Sequence, residues 1–319
     1  MFTVSVPTLL RVFQDVFARR YLDRNDFLLS NLHNLFWEPR GHTIETSNLS
    51  LSVEEILTIV RDYENQAYGA PPLLGEETER FKNALYVLVK KAVYDGKHSR
   101  GRYLNPIIEY ARRRFQSITW ATFNWDCIFE ASYYYSSGQD ALTRTNPSVI
   151  VELNNWRNQS AQNTFLKLHG GVNWWYENDR LVYLRFGYLP DLNDRWDEFE
   201  RNEANGSPVI LEPSYYKYED PIYELLRVQW DHFVQSLLES DIVVIIGYSL
   251  PEADFEARRA LTVGFQSNQN SKYIVVNRSD WVCDRYRRLF GSNRLNCIQE
   301  SLQNVSDDLP GIIENELAP

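Results

Sequence analysis

DIVVIIGYSLPEAD, residues 241–254, decides how the chain is built. Ile242 to Ile246 is a continuous apolar run, the pattern of a central β-strand buried on both faces. Gly247 ends the run, and Ser249 with Glu252 spells a capping box for a helix from about Glu252. Downstream follow a strand at Tyr273–Asn277, a helix across Trp281–Phe290 and a strand at Arg294–Ile298. Upstream, Ile222–Ser240 is an amphipathic helix and Leu184–Gly206 a polar surface excursion. Val172–Arg185 reads as a hairpin turning at Glu177, Asn178 and Asp179. Thr164–Leu168 and Ile118–Phe123 are short strands, with helical residues from about Asp126 to Tyr135 between them. The first third is helical: Pro7 to about Arg20, a capping box of Ser52 and Glu55, and Glu76–Tyr94. A further helix starts at Asn105-Pro106 and ends in Arg112, Arg113 and Arg114. Strands separated by helices imply parallel pairing in an α/β sheet. A length of 319 residues suits one large domain or two modest ones, and the order of the motifs given below makes it one domain over 1–319. Residues 1–116 form its helical region, and 117–319 a doubly wound parallel sheet with an inserted hairpin and loop region.

Composition excludes several classes. With 319 residues the chain can bury a substantial core, and 44% apolar and 14% aromatic residues exclude a disordered chain. A net charge of −10 repels duplex nucleic acid, and Arg112–Arg114 with Arg100 and Arg102 suit a solvated helix end. No direct nucleic-acid partner is expected. Cys127, Cys283 and Cys297 are scattered without a C-x-x-C, so neither a four-cysteine zinc site nor a disulfide framework is expected. His33, His42, His98 and His232 show no metal-ligand spacing. With no apolar run near 18 residues and no basic stretch opening MFTVSVPTLLRVF, the expectation is a cytoplasmic chain outside any membrane.

In doubly wound sheets, ligands bind beyond the carboxyl ends of the strands. Four such ends are dense in small and polar residues. In TFNWD, Asn124 and Asp126 either present an amide and a carboxylate to one pocket, or serve as a turn residue and a helix cap. In LHGG, His169 is either a general base or a hydrogen-bonded histidine beside a tight turn. Gly170 and Gly171 would let a ligand approach closely. In GYSLPEAD, a helix start with free N–H groups either favours an anionic or polar ligand or, as a capping box, only starts the helix. In VNRS, Asn277 is either a hydrogen-bonding group for a ribose hydroxyl or an ordinary strand-end residue, and Arg278 suits a surface charge.

Together, in this order, these segments resemble the sirtuin superfamily, specifically its zinc-free bacterial branch. TFNWD resembles the Thr-x-Asn-x-Asp motif, LHGG the His-Gly motif, GYSLPEAD the Gly-Tyr-Ser-Leu-Pro-x-x-Asp motif, and VNRS the Asn-Arg segment. Residues 208–216 (PVILEPSYY) and the Trp230 helix also fit this branch. The resemblance covers about Ile118–Ser279 and implies a Rossmann-like sheet that binds NAD as substrate and cleaves its nicotinamide–ribose bond. By resemblance Asn124 positions water or ribose, Asp126 holds the nicotinamide end, and His169 is the base. Gly247, Tyr248, Ser249 and Asn277 line the adenosine half, with Thr122, Phe123 and Gly170 contributing from the first two motifs.

The resemblance has two departures. The four zinc cysteines of protein-deacylating sirtuins are missing, which shifts the expectation from NAD-dependent deacylation toward an NAD⁺ glycohydrolase without a metal, of the kind found among antiviral defence effectors. The family's opening strand and Gly-Ala-Gly-x-Ser loop are also not found: only six residues precede Pro7, and the first glycine is Gly41. The expectation is therefore an exposed sheet edge, filled by another segment, a second copy or a partner chain. A catalytically silent module that binds ADP-ribose-type ligands or a protein partner is the alternative reading.

Overall fold

The computed structural model describes residues 103–126, 128–136, 163–178, 180–183, 206–211, 221–252, 254–291 and 293–318. The helices expected within 1–102, the excursion at 184–205 and the edge expected from the chain's opening lie outside these residues.

Helix α1 (Asn105–Arg114) carries Pro in its first turn, where a missing N–H costs nothing, and Arg112, Arg113 and Arg114 in its last. Strand β1 (Ile118–Thr122), helix α2 (Ile128–Ser136) and strand β2 (Asn163–Lys167) follow. β1 and β2 pair in parallel, Ile118 opposite Asn163 and Thr122 opposite Lys167. The expected hairpin forms as β3 (Gly170–Glu177) and β4 (Arg180–Tyr183), and β3 also pairs antiparallel with β5 (Ser207–Ile210). Helix α3 (Pro221–Glu239) leads into β6 (Ile242–Ile246), α4 (Phe255–Ser267), β7 (Lys272–Val276), α5 (Asp280–Phe290) and β8 (Leu295–Ile298). These last three strands form a parallel sheet in the order β6-β7-β8. The chain then adds helices α6 (Leu302–Val305) and α7 (Leu309–Leu317).

Side-chain alternation along β7 builds the layers. Tyr273 and Val275 join a core with Leu166, Leu168, and residues of α3, α4 and α5, including Trp230, Leu261 and Tyr286. Ile274 and Val276 join a second core with Ile108 of α1, Ile128 of α2, and Leu309 and Ile313 of α7. β6 also serves both cores, through Ile245 on one side and Ile242, Val244 and Ile246 on the other. Helices thus cover both faces, as a doubly wound α/β fold requires. Among the described residues no pairing joins β1-β2 to β6-β7-β8. The two groups meet at their carboxyl ends, where the Phe123 and Tyr248 rings stack at 4.2 Å.

Several expectations are corrected. The fully buried central strand is β7, with Tyr273 to Val276 at most 1% exposed, and not the Ile242–Ile246 run, most of which is half-buried. β7 has a strand on each side, whereas β6 pairs with β7 alone among the described residues. Ser249 and Glu252 do not open a helix. α4 begins at Phe255, after Leu250 turns the backbone to φ 53°, with Arg285 Nη1 donating to the Leu250 carbonyl at 2.6 Å. The cysteines are also not all isolated: α5 and β8 bring Cys283 and Cys297 to a Cα–Cα distance of 5.9 Å, bridged by a disulfide. β5 and the C-terminal helices α6 and α7 are additions that the polar or short segments concealed.

Candidate active site

Backbone bonds first align the ends of β1 and β2. The Thr122 carbonyl accepts from Leu168 N at 3.0 Å, and the Trp125 carbonyl from Val172 N at 2.9 Å. This brings the TFNWD turn beside the LHGG turn. His169 Nδ1 then lies 3.2 Å from the Phe123 carbonyl, which can only accept, so Nδ1 carries the proton of that bond. Nε2, the other ring nitrogen, is left to do chemistry. It lies 3.4 Å from Asp254 Oδ1 without the geometry of a hydrogen bond.

Asp254 comes from the turn after β6. Its other oxygen, Oδ2, accepts from the Tyr248 hydroxyl, and Tyr286 in turn donates to the Tyr248 carbonyl at 3.3 Å. Burial, and then the neighbouring Asp254 carboxylate, hold the Tyr248 phenol well above its ordinary range, so it stays a donor. His169, Asp254 and Tyr248 are all at most 8% exposed. Aromatic rings close the group: Phe123 lies 5.5 Å from the imidazole and Trp230 5.8 Å, with Phe233 behind. Trp230 Nε1 is buried without a partner. Two orphaned buried nitrogens, one on His169 and one on Trp230, suit a site that bonds a polar ligand.

The remaining expected residues fall in three places. Asn124 follows the carbonyl that holds His169, and its N–H bonds Thr122 Oγ1 at 3.0 Å, which fixes the turn. Gly247, at φ 67°, closes β6 by bonding the Val276 carbonyl, and Asn277 Oδ1 accepts from Ser279 N at 3.1 Å just before α5. Ser249 contributes a carbonyl that accepts from Arg285. Asp126 is buried and caps α2, its Oδ1 accepting from Ile128 N at 2.9 Å. Burial raises its carboxyl to about 6, opposed by that N–H and by the Lys167 ammonium.

The two LHGG glycines serve the protein's own atoms. A Cβ on Gly170, at φ 70°, would lie 2.0 Å from the Val209 carbonyl oxygen. One on Gly171 would lie 2.5 Å from Lys167 Nζ. The close approach expected of a ligand is therefore made by β5 and by a lysine.

That lysine, with Asp254 and Trp230, is what the sequence reading left without a role. Lys167 is fully buried, and its ammonium donates to the Asp126 carbonyl at 2.6 Å, Glu130 Oε1 at 2.8 Å and Asn173 Oδ1 at 3.1 Å. Its backbone N–H bonds Gln229 Oε1 at 2.8 Å. The cluster ties β2, α2, β3 and α3 together directly under the Asn124–Asp126 turn. A lysine amid the apolar strand residues Phe165, Leu166 and Leu168 was the one available signal.

Among the described residues, no group of three or more His, Cys, Asp or Glu is placed to hold a metal ion, and no helix is long and apolar enough to cross a membrane. A family model described as a SIR2-like domain matches residues 119–298, more than half of the chain and all four motif-bearing strand ends. No curated protein matches the chain.

Proposed function

Because the chain belongs to the SIR2-like domain family, we propose that it hydrolyses NAD⁺ at the nicotinamide–ribose bond, with His169 as the base. The observation that carries the reading is the imidazole itself. One nitrogen is committed to the Phe123 carbonyl, and the other is buried without a hydrogen bond at the junction of three strand ends.

The reaction breaks the bond between ribose C1′ and the nicotinamide nitrogen, and the electron pair leaves with the ring, neutralising it. Positive charge builds on the ribose as the bond stretches. Water then supplies the oxygen that bonds C1′, and its proton passes to His169 Nε2. The products are nicotinamide, ADP-ribose and a proton. Asn124, on the turn whose carbonyl holds the imidazole, orients the water or the ribose hydroxyl. Asp254 faces Nε2, so its carboxylate stabilises the ring once it gains the proton. Tyr248, donating to Asp254, keeps that carboxylate in place. Asp126 shapes the turn through its cap on α2, and Gly247, Ser249 and Asn277 border the adenosine half.

Nicotinamide release by the purified chain tests this. Wild type should turn over, while His169→Ala and Asn124→Ala should each lose about 100-fold or more, the usual contribution of a positioned base. Equal silence of all three folded proteins would end the hydrolase reading. A second reading is a module that binds ADP-ribose without cleavage, favoured by the 8% exposure of His169. Tight ADP-ribose binding in calorimetry, with no nicotinamide released, would select it.

A further inference from the structure

We propose that the cavity between α4 and α5 is a second ligand site, for a phosphorylated nucleoside, separate from the His169 group. The cavity has a volume of about 290 Å³ and is bounded by Trp281, Arg258, Arg285 and Arg288, with Glu252 as its one carboxylate. That size sits at the small end of ligand pockets, which start near roughly 300 Å³. It suits a base or a phosphate group seated inside, with the rest of the molecule extending outward.

Three features point to this chemistry. Trp281 is 54% exposed, one of two large apolar side chains so exposed among the described residues. Arg285 lies over its ring at 4.8 Å, and its guanidinium is pinned by the Leu250 and Ser249 carbonyls at 2.6 and 3.4 Å. One face of the indole is thus stiffened by a fixed cation, a platform on which a planar base can stack. Arg258 is half-buried near the Tyr248 phenol, and Arg288 is exposed. Glu252 is the opposing charge, but it is 76% exposed and 3.8 Å from Arg285, so solvent screens it. In a chain of net charge −10, three guanidinium groups around one concavity are a local exception. Their forked donors match phosphate oxygens better than a lone carboxylate would.

The site also has a mechanical link to the first. Arg285 holds the carbonyls of Ser249 and Leu250. The same turn ends at Asp254, beside His169. A phosphate drawn to Arg285 therefore competes for the anchor of the turn that carries Asp254.

Calorimetry on the full chain tests the site, with ADP, adenosine and inorganic pyrophosphate as separate probes. ADP should bind more tightly than either part alone. Trp281→Ala, and the Arg258→Gln/Arg288→Gln double variant, should each weaken ADP by about tenfold or more, the loss of one good contact. Asn277→Ala, on the strand end that borders the adenosine half of NAD, should leave this binding in place, which separates the cavity from the NAD site and the result from the fate of the hydrolase reading. ADP affinity unchanged by the Trp281 and arginine variants would overturn the proposal. So would an acidic peptide that binds as tightly as ADP with the same dependence on those residues.

Discussion

Replacing Lys167 by Met removes a charge while keeping most of the side chain's length and volume, so little cavity is created. What is lost is an ammonium that bonds Asp126 O, Glu130 Oε1 and Asn173 Oδ1 at 2.6, 2.8 and 3.1 Å. What remains is the Glu130 carboxylate, 1% exposed. Breaking a buried ion pair from one side in this way costs about 3–5 kcal/mol, because the surviving charge stays desolvated. That is a large share of a domain's total stability, typically about 5–15 kcal/mol. Lys167→Met should therefore lower the urea midpoint steeply. The Lys167→Met/Glu130→Leu double variant, which removes both charges, should recover most of the loss. The measurement is a double-mutant cycle read from urea unfolding followed by tryptophan fluorescence. A single variant costing under about 1 kcal/mol would refute the argument that this pair is desolvated. So would a double variant whose cost equals the sum of the two singles.

Two further outcomes follow from buried groups. Asp126, raised by burial to about 6 from 3.8, holds its proton in the folded state where the unfolded chain has lost it. Its contribution is therefore present below pH 3.8 and lost as the pH rises to about 6, on the order of 3 kcal/mol at 1.4 per pH unit. Asp126→Asn keeps the cap acceptor but not the titration, so its stability should vary less over pH 4–6 than wild type; parallel curves would remove the carboxyl from the account. The Cys283–Cys297 bridge closes a short loop, 14 residues in sequence. On the chain-entropy account it stabilises by about 3 kcal/mol. A reductant should lower the melting temperature of wild type but not of Cys283→Ser, and insensitivity of wild type would show the bridge to be unformed in solution.

Much of the fold was legible because it rests on local rules. Apolar runs and amphipathic periods placed β1, β2, β6, β7 and β8 and helices α1 to α5 to within a few residues. Pro106 with the three arginines after it marked both ends of α1. The local rules failed where a long-range contact overrode them. Ser249 and Glu252 have capping-box spacing, yet Arg285 holds the Leu250 carbonyl in a left-handed turn, and the helix starts at Phe255 instead. The run at β6 is apolar throughout, but its depth depends on what lies beside it. A paired strand on each side, not hydropathy, made β7 the buried one.

The chemistry of the strand ends divides in the same way. By itself the sequence determined that TFNWD, LHGG, GYSLPEAD and VNRS follow the ends of four strands, since strand polarity and residue order are local properties. Only the tertiary structure decided what each of those residues touches. It set His169 between the Phe123 carbonyl, 46 residues away, and Asp254. It also gave the close approach at Gly171 to Lys167 and paired Lys167 with Glu130 across 37 residues. Such contacts join segments that share no local period. They are chosen by how buried charges and donors find partners once water is excluded, and that selection happens only when the sheet and its helices are packed.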